Sequence, residues 1–209
     1  MADPRNELIA TARAMQPAGL NRGTAGNVSV RCGAGFYITP TGMPYEALAA
    51  ADIPLLALDG THQGQRKPSS EWRFHRDLYA ARPEVGAVLH AHSPFAVSLA
   101  CLRRDIPPFH YMIARFGGDT IRCADYAIFG SPELSTAAMH AMEGRTGCLL
   151  ANHGLLVAGR DLAEALALAV EFEELCEQYW RACQLGQPVL LTPEEMRAVQ
   201  EKFAGYGQQ

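Results

Sequence analysis

The chain has 209 residues, a net charge of −4 and an ordinary globular composition, 48% hydrophobic and 19% charged. The slight acidic surplus argues against nucleic acid as the main ligand, and no apolar run is long enough to cross a membrane. We therefore expect a soluble, cytoplasmic protein that forms one domain over residues 1–209, with its six scattered cysteines reduced.

The first part of the chain predicts a helix and then three strands. Asp3 followed by Pro4 is typical of a helix start, and apolar residues continue at helical spacing to Met15. Glycine-punctuated alternation over residues 27–39 predicts a hairpin, and residues 53–58 predict a third strand.

The middle of the chain predicts two helices around one buried strand. The first helix begins near Glu71 and ends at Pro83, an apolar strand covers residues 85–92, and a second helix starts at residue 94. We expect three other histidines to be surface or capping residues: His62, His75 and His140.

The last part of the chain alternates short strands with helices. The predicted elements are a strand over residues 121–124, a helix over 132–142, a strand over 147–154 that residues 155–157 could continue, a long helix over 161–185 and a last helix after Thr192. Early strands with flanking helices predict an α/β fold with a central, largely antiparallel sheet covered by helices.

Two histidines separated by a single residue, His90 and His92, end the apolar run that begins at Val85. Residues two apart share a face in a strand but not in a helix. A strand that ends in this motif would present two imidazoles side by side, which suits a metal ion. A chance pair of surface histidines is the alternative interpretation.

His153 has a similar context, because it also follows an apolar run and is followed at once by Gly154. Two strand ends could thus supply three imidazoles and leave a fourth coordination position open. Catalytic zinc sites have this arrangement, whereas structural zinc sites have four protein ligands. The alternative for His153 is a turn residue that is bonded to the backbone.

Two further features could complete such a site. Glu71 opens a helix directly after two serines, so it is either a carboxylate stabilised by the helix dipole or a base beside a metal ion. Three small-residue stretches could bind a phosphate through backbone N–H groups and hydroxyls, or could be ordinary turns and caps: Gly26-Asn27, Thr41-Gly42 and Ser69-Ser70.

Six stretches of the sequence, taken in order, match one family pattern. They are Gly-Leu-Asn-Arg-Gly-Thr-Ala-Gly-Asn-Val-Ser-Val (19–30), Ile-Thr-Pro-Thr-Gly-Met-Pro-Tyr-Glu (38–46), Pro-Ser-Ser-Glu-Trp-Arg-Phe-His (68–75), His-x-His (90–92), Ile-Pro-Pro-Phe-His-Tyr-Met-Ile (106–113) and Asn-His-Gly-Leu (152–155). With these stretches the chain resembles the class II aldolase/adducin family over about residues 20–206. The resemblance implies a three-layer α/β domain.

The resemblance also implies roles for the candidate residues. In the family's enzymes, Zn²⁺ is held by the histidines that match His90, His92 and His153, and the carboxylate that matches Glu71 is a ligand or lies beside the metal. The residues implied to bind the phosphate of dihydroxyacetone phosphate are Asn27, Thr41, Gly42, Ser69 and Ser70.

A homotetramer with its sites at subunit interfaces is implied as well. In such an assembly Tyr111 and Phe129 would reach a neighbouring subunit's pocket, and Tyr206 would belong to a mobile C-terminal tail. Only three residues follow Tyr206, so we expect a shorter tail than in the family's fuculose-phosphate enzymes.

The implied activity is the reversible cleavage of a ketose 1-phosphate to dihydroxyacetone phosphate and a short aldehyde. The substrate would be L-fuculose 1-phosphate or a related deoxy- or 5-substituted ribulose 1-phosphate, with Mn²⁺ or Co²⁺ as possible replacements for Zn²⁺. Glu71 would take the substrate proton and Tyr111 would donate one to the aldehyde oxygen. Because no lysine serves as a Schiff-base nucleophile, the metal would be the electron sink.

Other activities on the same fold are the alternatives. They are a 5-(methylthio)ribulose-1-phosphate aldolase or dehydratase, a pentulose-phosphate 4-epimerase and a non-catalytic adducin-like module. In the epimerases an aspartate tends to replace Glu71, and a non-catalytic module would not need the three histidines. Arg115 and Phe116 stand where a small apolar pair is expected. If they face the aldehyde pocket, the substrate would differ from L-fuculose 1-phosphate.

Overall fold

Eight strands form a single sheet in the computed structural model, which describes residues 3–204. The strands are β1 (Asn27–Cys32), β2 (Gly35–Ile38), β3 (Leu55–Ala57), β4 (His62–Gln63), β5 (Ala87–Ala91), β6 (Cys123–Ala124), β7 (Gly147–Leu150) and β8 (Gly154–Gly159). Their order across the sheet is β4-β3-β2-β1-β5-β8-β7-β6. All neighbouring pairs are antiparallel except β6 and β7, which are parallel. The predicted α/β fold with a largely antiparallel sheet is confirmed.

Helices cover both faces of this sheet. They are α1 (Pro4–Met15), α2 (Trp72–Ala81), α3 (Pro94–Ala100), α4 (Pro132–Ala141), α5 (Leu162–Leu185) and α6 (Pro193–Ala204). One apolar cluster joins α1, α3 and α5 to one face of the sheet, and a second cluster joins α2 and α4 to the other face. Within residues 3–204, no helix is both long and apolar enough to cross a membrane.

The helix starts follow the capping signals in the sequence. The side chains of Asp3, Ser131 and Asp161 accept hydrogen bonds from backbone N–H groups in the first turns of α1, α4 and α5. Proline occupies one of the first two positions of α1 and α4, where its missing N–H leaves no helical bond unmade.

The prediction that residues 155–157 could continue the strand over residues 147–154 is wrong. The chain turns between β7 and β8 instead of continuing through residues 155–157, and β8 runs back antiparallel to β7, with Leu149 opposite Leu155. Asn152 makes the turn possible because it adopts a left-handed conformation with φ 55°. Gly154 then passes so close to the Ala91 carbonyl that a Cβ atom there would lie 2.3 Å from its oxygen. This turn carries His153 to the end of β5.

Candidate metal centre and active site

Four side chains from three parts of the fold meet at one end of the sheet. His90 is in β5, His92 follows that strand, His153 lies in the β7–β8 turn, and Glu71 precedes α2. The potential ligand atoms of these residues all lie within 4.8 Å of one another. The pairing of β5 with β8 explains the meeting of the histidines, since Ala91 lies opposite Leu155.

The three imidazole rings are arranged almost symmetrically. Their centroids are 4.7–4.8 Å apart in each pair, and their planes are inclined to one another by 70–74°. The Nε2 atoms of His90 and His92 are 2.9 Å apart. Two ligand nitrogens on a tetrahedral zinc ion would be about 3.3 Å apart, so the rings need little adjustment to hold one ion.

The hydrogen bond on the other side of His90 fixes its tautomer. Its Nδ1 lies 2.7 Å from the Leu155 carbonyl oxygen, which can only accept, so Nδ1 carries the proton. The Nε2 lone pair is then free for a metal ion. For His92, burial and the neighbouring rings of His90 and His153 lower the pKa to about 4, so this imidazole is neutral near pH 7. The neutral His92 ring thus presents a lone pair rather than a charge to the cluster.

Glu71 supplies the negative charge of the cluster. Its side chain is 7% exposed and, although Glu71 is the N-cap residue of α2, it accepts no capping hydrogen bond. Its Oε2 accepts a hydrogen bond of 3.1 Å from the Asn27 Nδ2 and lies 3.3 Å from the His90 Nε2. Its Oε1 is buried 3.2 Å from the His153 Nε2 and has no hydrogen-bond partner among the described residues.

These features together fit a divalent cation. Burial raises the pKa of the Glu71 carboxyl, but the positive charge of protonated His90 and His153 imidazoles lowers it more, so its pKa lies well below the usual range, and a cation held by the same rings would act in the same direction. An ionised, buried carboxylate oxygen without a donor is costly unless a cation or a proton compensates it. The three imidazoles beside it are borderline ligands that suit zinc and related ions.

The small-residue stretches predicted to bind phosphate lie close to this cluster. Residues 39–42 and 67–70 run side by side, because the N–H of Thr41 donates to Lys67 and the N–H of Ser69 donates to Thr39. Ser69 also accepts a hydrogen bond of 3.3 Å from the N–H of Glu71. Thr41, Gly42 and Ser70 are exposed at this point, next to the start of α2. The structure therefore groups four of the five residues, while their binding of phosphate stays a prediction.

The fifth residue of that set, Asn27, is almost completely buried. Its side-chain amide lies between Glu71 and His75, with Oδ1 2.5 Å from the His75 Nε2. The prediction that His75 is a surface or capping residue is wrong, because its side chain is completely buried. The prediction rested on the position of His75 in a helix between Phe74 and Arg76, but successive helical residues point about 100° apart, so these neighbours do not determine which way His75 points. His62 and His140 are exposed, as predicted.

An open cavity of about 260 Å³ adjoins the cluster. It is lined by Ser70, Glu71, His92, Tyr126, Ala127, Phe129, Asn152 and His153. The sequence predicted no role for Tyr126 and Asn152, which Arg103 connects by a hydrogen bond of 2.6 Å to the Asn152 Oδ1 and by stacking over the Tyr126 ring. The sequence could have indicated the turn at Asn152, because asparagine is enriched at left-handed turn positions.

The aromatic residues assigned to a neighbouring subunit's pocket take different positions. Phe129 lines the cavity of its own chain and is 67% exposed. Tyr111 is half exposed and stacks against Phe203 with ring centroids 6.4 Å apart, away from that cavity. Tyr206 lies outside the described residues. Contacts of these residues with a second subunit stay predictions.

Arg115 and Phe116 do not face the cavity beside the cluster. Phe116 is completely buried and packs edge-on against Phe172, with ring centroids 5.2 Å apart. Arg115 forms a 3.4 Å ion pair with Glu171 on the surface. Within one chain, Arg115 and Phe116 therefore give no reason to expect an aldehyde different from the one released from L-fuculose 1-phosphate.

A larger cavity, about 630 Å³, lies between β6 and α4 and is lined by none of the four residues of the metal cluster. Acidic residues, a histidine and a cysteine are among its lining residues: Asp105, Cys123, Asp125, Glu133 and His140. Across residues 3–204, only the Glu71–His90–His92–His153 cluster brings such ligand atoms close enough to hold an ion.

The fold and the cluster define an α/β protein with four side chains that could hold a metal ion beside an open cavity. The family description "Class II Aldolase and Adducin N-terminal domain" matches residues 6–180. This protein belongs to the class II aldolase/adducin family.

Similar proteins carry names of more specific activities. The chain is 55% identical over 203 residues to 5-methylthioribulose-1-phosphate/5-deoxyribulose-1-phosphate aldolase of Rhodospirillum rubrum, over 97% of this chain and 92% of that protein. It is 45% identical over 202 residues to L-fuculose phosphate aldolase of Escherichia coli K12, over 96% and 94% of the two chains. A solved structure of an L-fuculose 1-phosphate aldolase superposes with a TM-score of 0.93 and 39% identity, over 98% and 97% of the chains.

Proposed function

We propose that this protein is a metal-dependent aldolase, an aldehyde lyase that reversibly cleaves a ketose 1-phosphate to dihydroxyacetone phosphate and a short aldehyde. The observation that carries the proposal is the Glu71 Oε1 atom, a buried carboxylate oxygen without a donor that lies 3.2 Å from the His153 Nε2. The residue Glu71 lines a cavity beside the grouped phosphate candidates. The names of the most similar proteins support the same reaction.

The metal in this proposal is Zn²⁺, with His90, His92 and His153 as ligands and Glu71 as a ligand or immediate neighbour. Mn²⁺ and Co²⁺ are functional replacements, because imidazole and carboxylate groups bind them as well. When bound, such an ion polarises the ketone oxygen of the substrate and stabilises the negative charge left by proton loss.

The protein's own residues hold the substrate and move its protons. Thr41, Gly42, Ser69 and Ser70 bind the phosphate at the start of α2, with Asn27 behind them, through N–H groups and hydroxyls. Glu71 accepts the proton from dihydroxyacetone phosphate in the direction of addition.

A second subunit completes the site in this proposal. Tyr111 is half exposed and does not line its own chain's cavity, so its hydroxyl donates the proton to the aldehyde oxygen in a neighbouring subunit. Phe129 and Tyr206 contribute to the same shared pocket. The working form is therefore a cytoplasmic homotetramer whose partner is a small sugar phosphate.

The lining of the cavity indicates which aldehydes fit. Tyr126, Ala127 and Phe129 form a wall of aromatic and methyl groups in the lining of the cavity. Such a wall favours an unsubstituted methyl or a methylthio group over a hydroxylated chain, since aromatic rings pack well against both. We infer that 5-deoxyribulose 1-phosphate and 5-(methylthio)ribulose 1-phosphate are better substrates than L-fuculose 1-phosphate.

A substrate panel tests this proposal. The purified, zinc-loaded protein is incubated with L-fuculose 1-phosphate, 5-deoxyribulose 1-phosphate and 5-(methylthio)ribulose 1-phosphate, and released dihydroxyacetone phosphate is measured. We expect release from all three, fastest from the two 5-substituted compounds, and none after a chelator has removed the metal. An isomerised or dehydrated product without dihydroxyacetone phosphate would refute an aldolase, and absence of bound metal would favour a non-catalytic module.

A further inference from the structure

Five buried polar side chains form a continuous hydrogen-bonded row beneath the metal cluster. The Asn27 amide lies 3.1 Å from the Glu71 Oε2 and 2.5 Å from the His75 Nε2. The His75 Nδ1 lies 2.7 Å from the Ser29 Oγ, which lies 2.8 Å from the Tyr79 hydroxyl. All five side chains are less than 9% exposed. We call this set, Glu71–Asn27–His75–Ser29–Tyr79, the buried row.

The row exists because a helix and a strand have matching repeats. Glu71, His75 and Tyr79 are spaced by four residues, and four helical residues rise about 6 Å. Asn27 and Ser29 are spaced by two residues, and two strand residues rise about 6.6 Å. The side chains of α2 and β1 therefore interdigitate in one line, with each strand residue between two helix residues.

The chemistry of the end group sets the direction of every hydrogen bond. An ionised Glu71 can only accept, so Asn27 turns its Nδ2 toward Glu71 and its Oδ1 toward His75. The His75 Nε2 must then carry a proton, and its Nδ1 accepts from the Ser29 hydroxyl. Burial keeps this imidazole neutral, because it lowers the pKa of His75 to about 3. Ser29 in turn accepts from the Tyr79 hydroxyl.

We propose that His75 is a positioning residue for Glu71, acting through Asn27 to choose which carboxylate oxygen serves as the base. The row occupies Oε2 with the Asn27 donor, while Oε1 stays unpartnered on the side of His153 and the cavity. Oε1 then receives the substrate proton, and the electron pair of the broken C–H bond stays on dihydroxyacetone phosphate. The catalytic consequence rests on the proposed aldolase function, whereas the hydrogen-bonded arrangement does not.

A purely structural role for His75 predicts different behaviour from its variants. If His75 only fills space, His75→Leu preserves function in every molecule that folds and binds metal. If it positions Glu71, the leucine variant frees the Asn27 amide to rotate, and a shift of about 1 Å at the base slows proton transfer by 10- to 100-fold. His75→Gln places an N–H near the original Nε2 position and restores the bond to Asn27.

The test isolates proton transfer from the rest of the reaction. Zinc-loaded wild-type, His75→Leu and His75→Gln proteins are incubated with dihydroxyacetone phosphate in D₂O without an aldehyde, and deuterium incorporation is followed by NMR per bound zinc. We expect the maximal exchange rate to fall at least about 10-fold in His75→Leu and to stay within about 3-fold of wild type in His75→Gln. The half-saturating concentration should change less than the maximal rate, because Thr41, Gly42, Ser69 and Ser70 make no contact with His75 among the hydrogen bonds of the row. Tyr79→Phe is the matched control, since Ser29 can still donate to His75 without the distal hydroxyl.

A second measurement tests the row without any turnover. In ¹⁵N-labelled wild-type protein, the His75 ring should carry its proton on Nε2 and remain neutral at pH 7. An Nδ1–H tautomer or a charged ring would refute the hydrogen-bond directions assigned to the buried row. This measurement uses the wild-type protein, so it tests the row even if His75→Leu fails to fold. Wild-type rates in His75→Leu, or a glutamine variant as slow as leucine, would overturn the positioning role. Absence of deuterium incorporation with the wild-type protein would instead count against the proposed aldolase function. The tautomer of the His75 ring would still test the hydrogen bonds of the buried row.

Discussion

Replacing Glu71 by glutamine should abolish the base while leaving the rest of the site in place. The Asn27 Nδ2 is a donor at 3.1 Å from Oε2, so the glutamine carbonyl oxygen takes that position. The NH₂ group then falls where Oε1 was, 3.2 Å from the His153 Nε2. An amide there has no basic lone pair, so it cannot receive the substrate proton.

The expected loss follows from what a positioned base contributes. A general base accelerates proton transfer by about 10² to 10⁴-fold, which corresponds to about 3–5 kcal/mol of the activation barrier. The three imidazoles remain, and the fixed Nδ1–H to Leu155 bond keeps the His90 ring in place. We therefore expect Glu71→Gln to retain bound zinc and lose at least 100-fold in turnover.

The assay compares three proteins at equal zinc content. Release of dihydroxyacetone phosphate from 5-deoxyribulose 1-phosphate and deuterium exchange of dihydroxyacetone phosphate are measured for wild type, Glu71→Gln and Glu71→Asp. The aspartate variant keeps a carboxylate but shortens its reach, so its rates should fall between the other two. Unchanged turnover in Glu71→Gln with zinc in place would refute the assignment of Glu71 as the base.

Three further predictions concern parts of the fold that support the site. Gly86→Ala should destabilise the protein by about 2–4 kcal/mol in urea unfolding, because the new Cβ would lie 1.9 Å from the Arg160 carbonyl oxygen. Glu173→Leu should lower the free energy of unfolding by about 2–4 kcal/mol in the same assay, because the Glu173 carboxylate accepts three hydrogen bonds at the start of α3, directly after His92. An unchanged unfolding midpoint would contradict this expectation. Burial and nearby aspartates raise the pKa of the Cys123 thiol to about 11. Cys123 should therefore react with a thiol reagent at pH 8 more slowly than the exposed Cys101, and equal reaction rates would argue against the raised pKa.

The sequence predicted the metal cluster well because its members follow local rules. His90 and His92 end an apolar strand, so period-2 geometry places both rings at one end of the sheet. His153 follows the same rule on β7, even though the strand after it reverses instead of continuing. Glu71 was recognisable as the residue before a helix, but two roles stayed open until its side chain proved to accept no capping bond.

The buried row and the cavity wall could not be predicted in the same way. His75 lies between Phe74 and Arg76 in the sequence, and only the packing of α2 on β1 shows that it points at Ser29 and Asn27. Tyr126 lies in a segment without periodic pattern, and its position depends on Arg103 in a distant loop. Such contacts join segments far apart in the chain, and periodicity carries no information about them.

The matched repeats of α2 and β1 determine where the chain can change its length. An insertion in the connection between β3 and the edge strand β4, at residues 58–61, leaves the hydrogen bonds of the buried row in place. A single residue inserted between Glu71 and Tyr79 rotates the two ends of the row by about 100° relative to each other and separates the base from its anchor. Inserting one residue between Asn27 and Ser29 sends one of them to the opposite face of the sheet. Relatives that keep proton transfer should therefore vary in length in the β3–β4 connection and remain gap-free across residues 27–29 and 71–79.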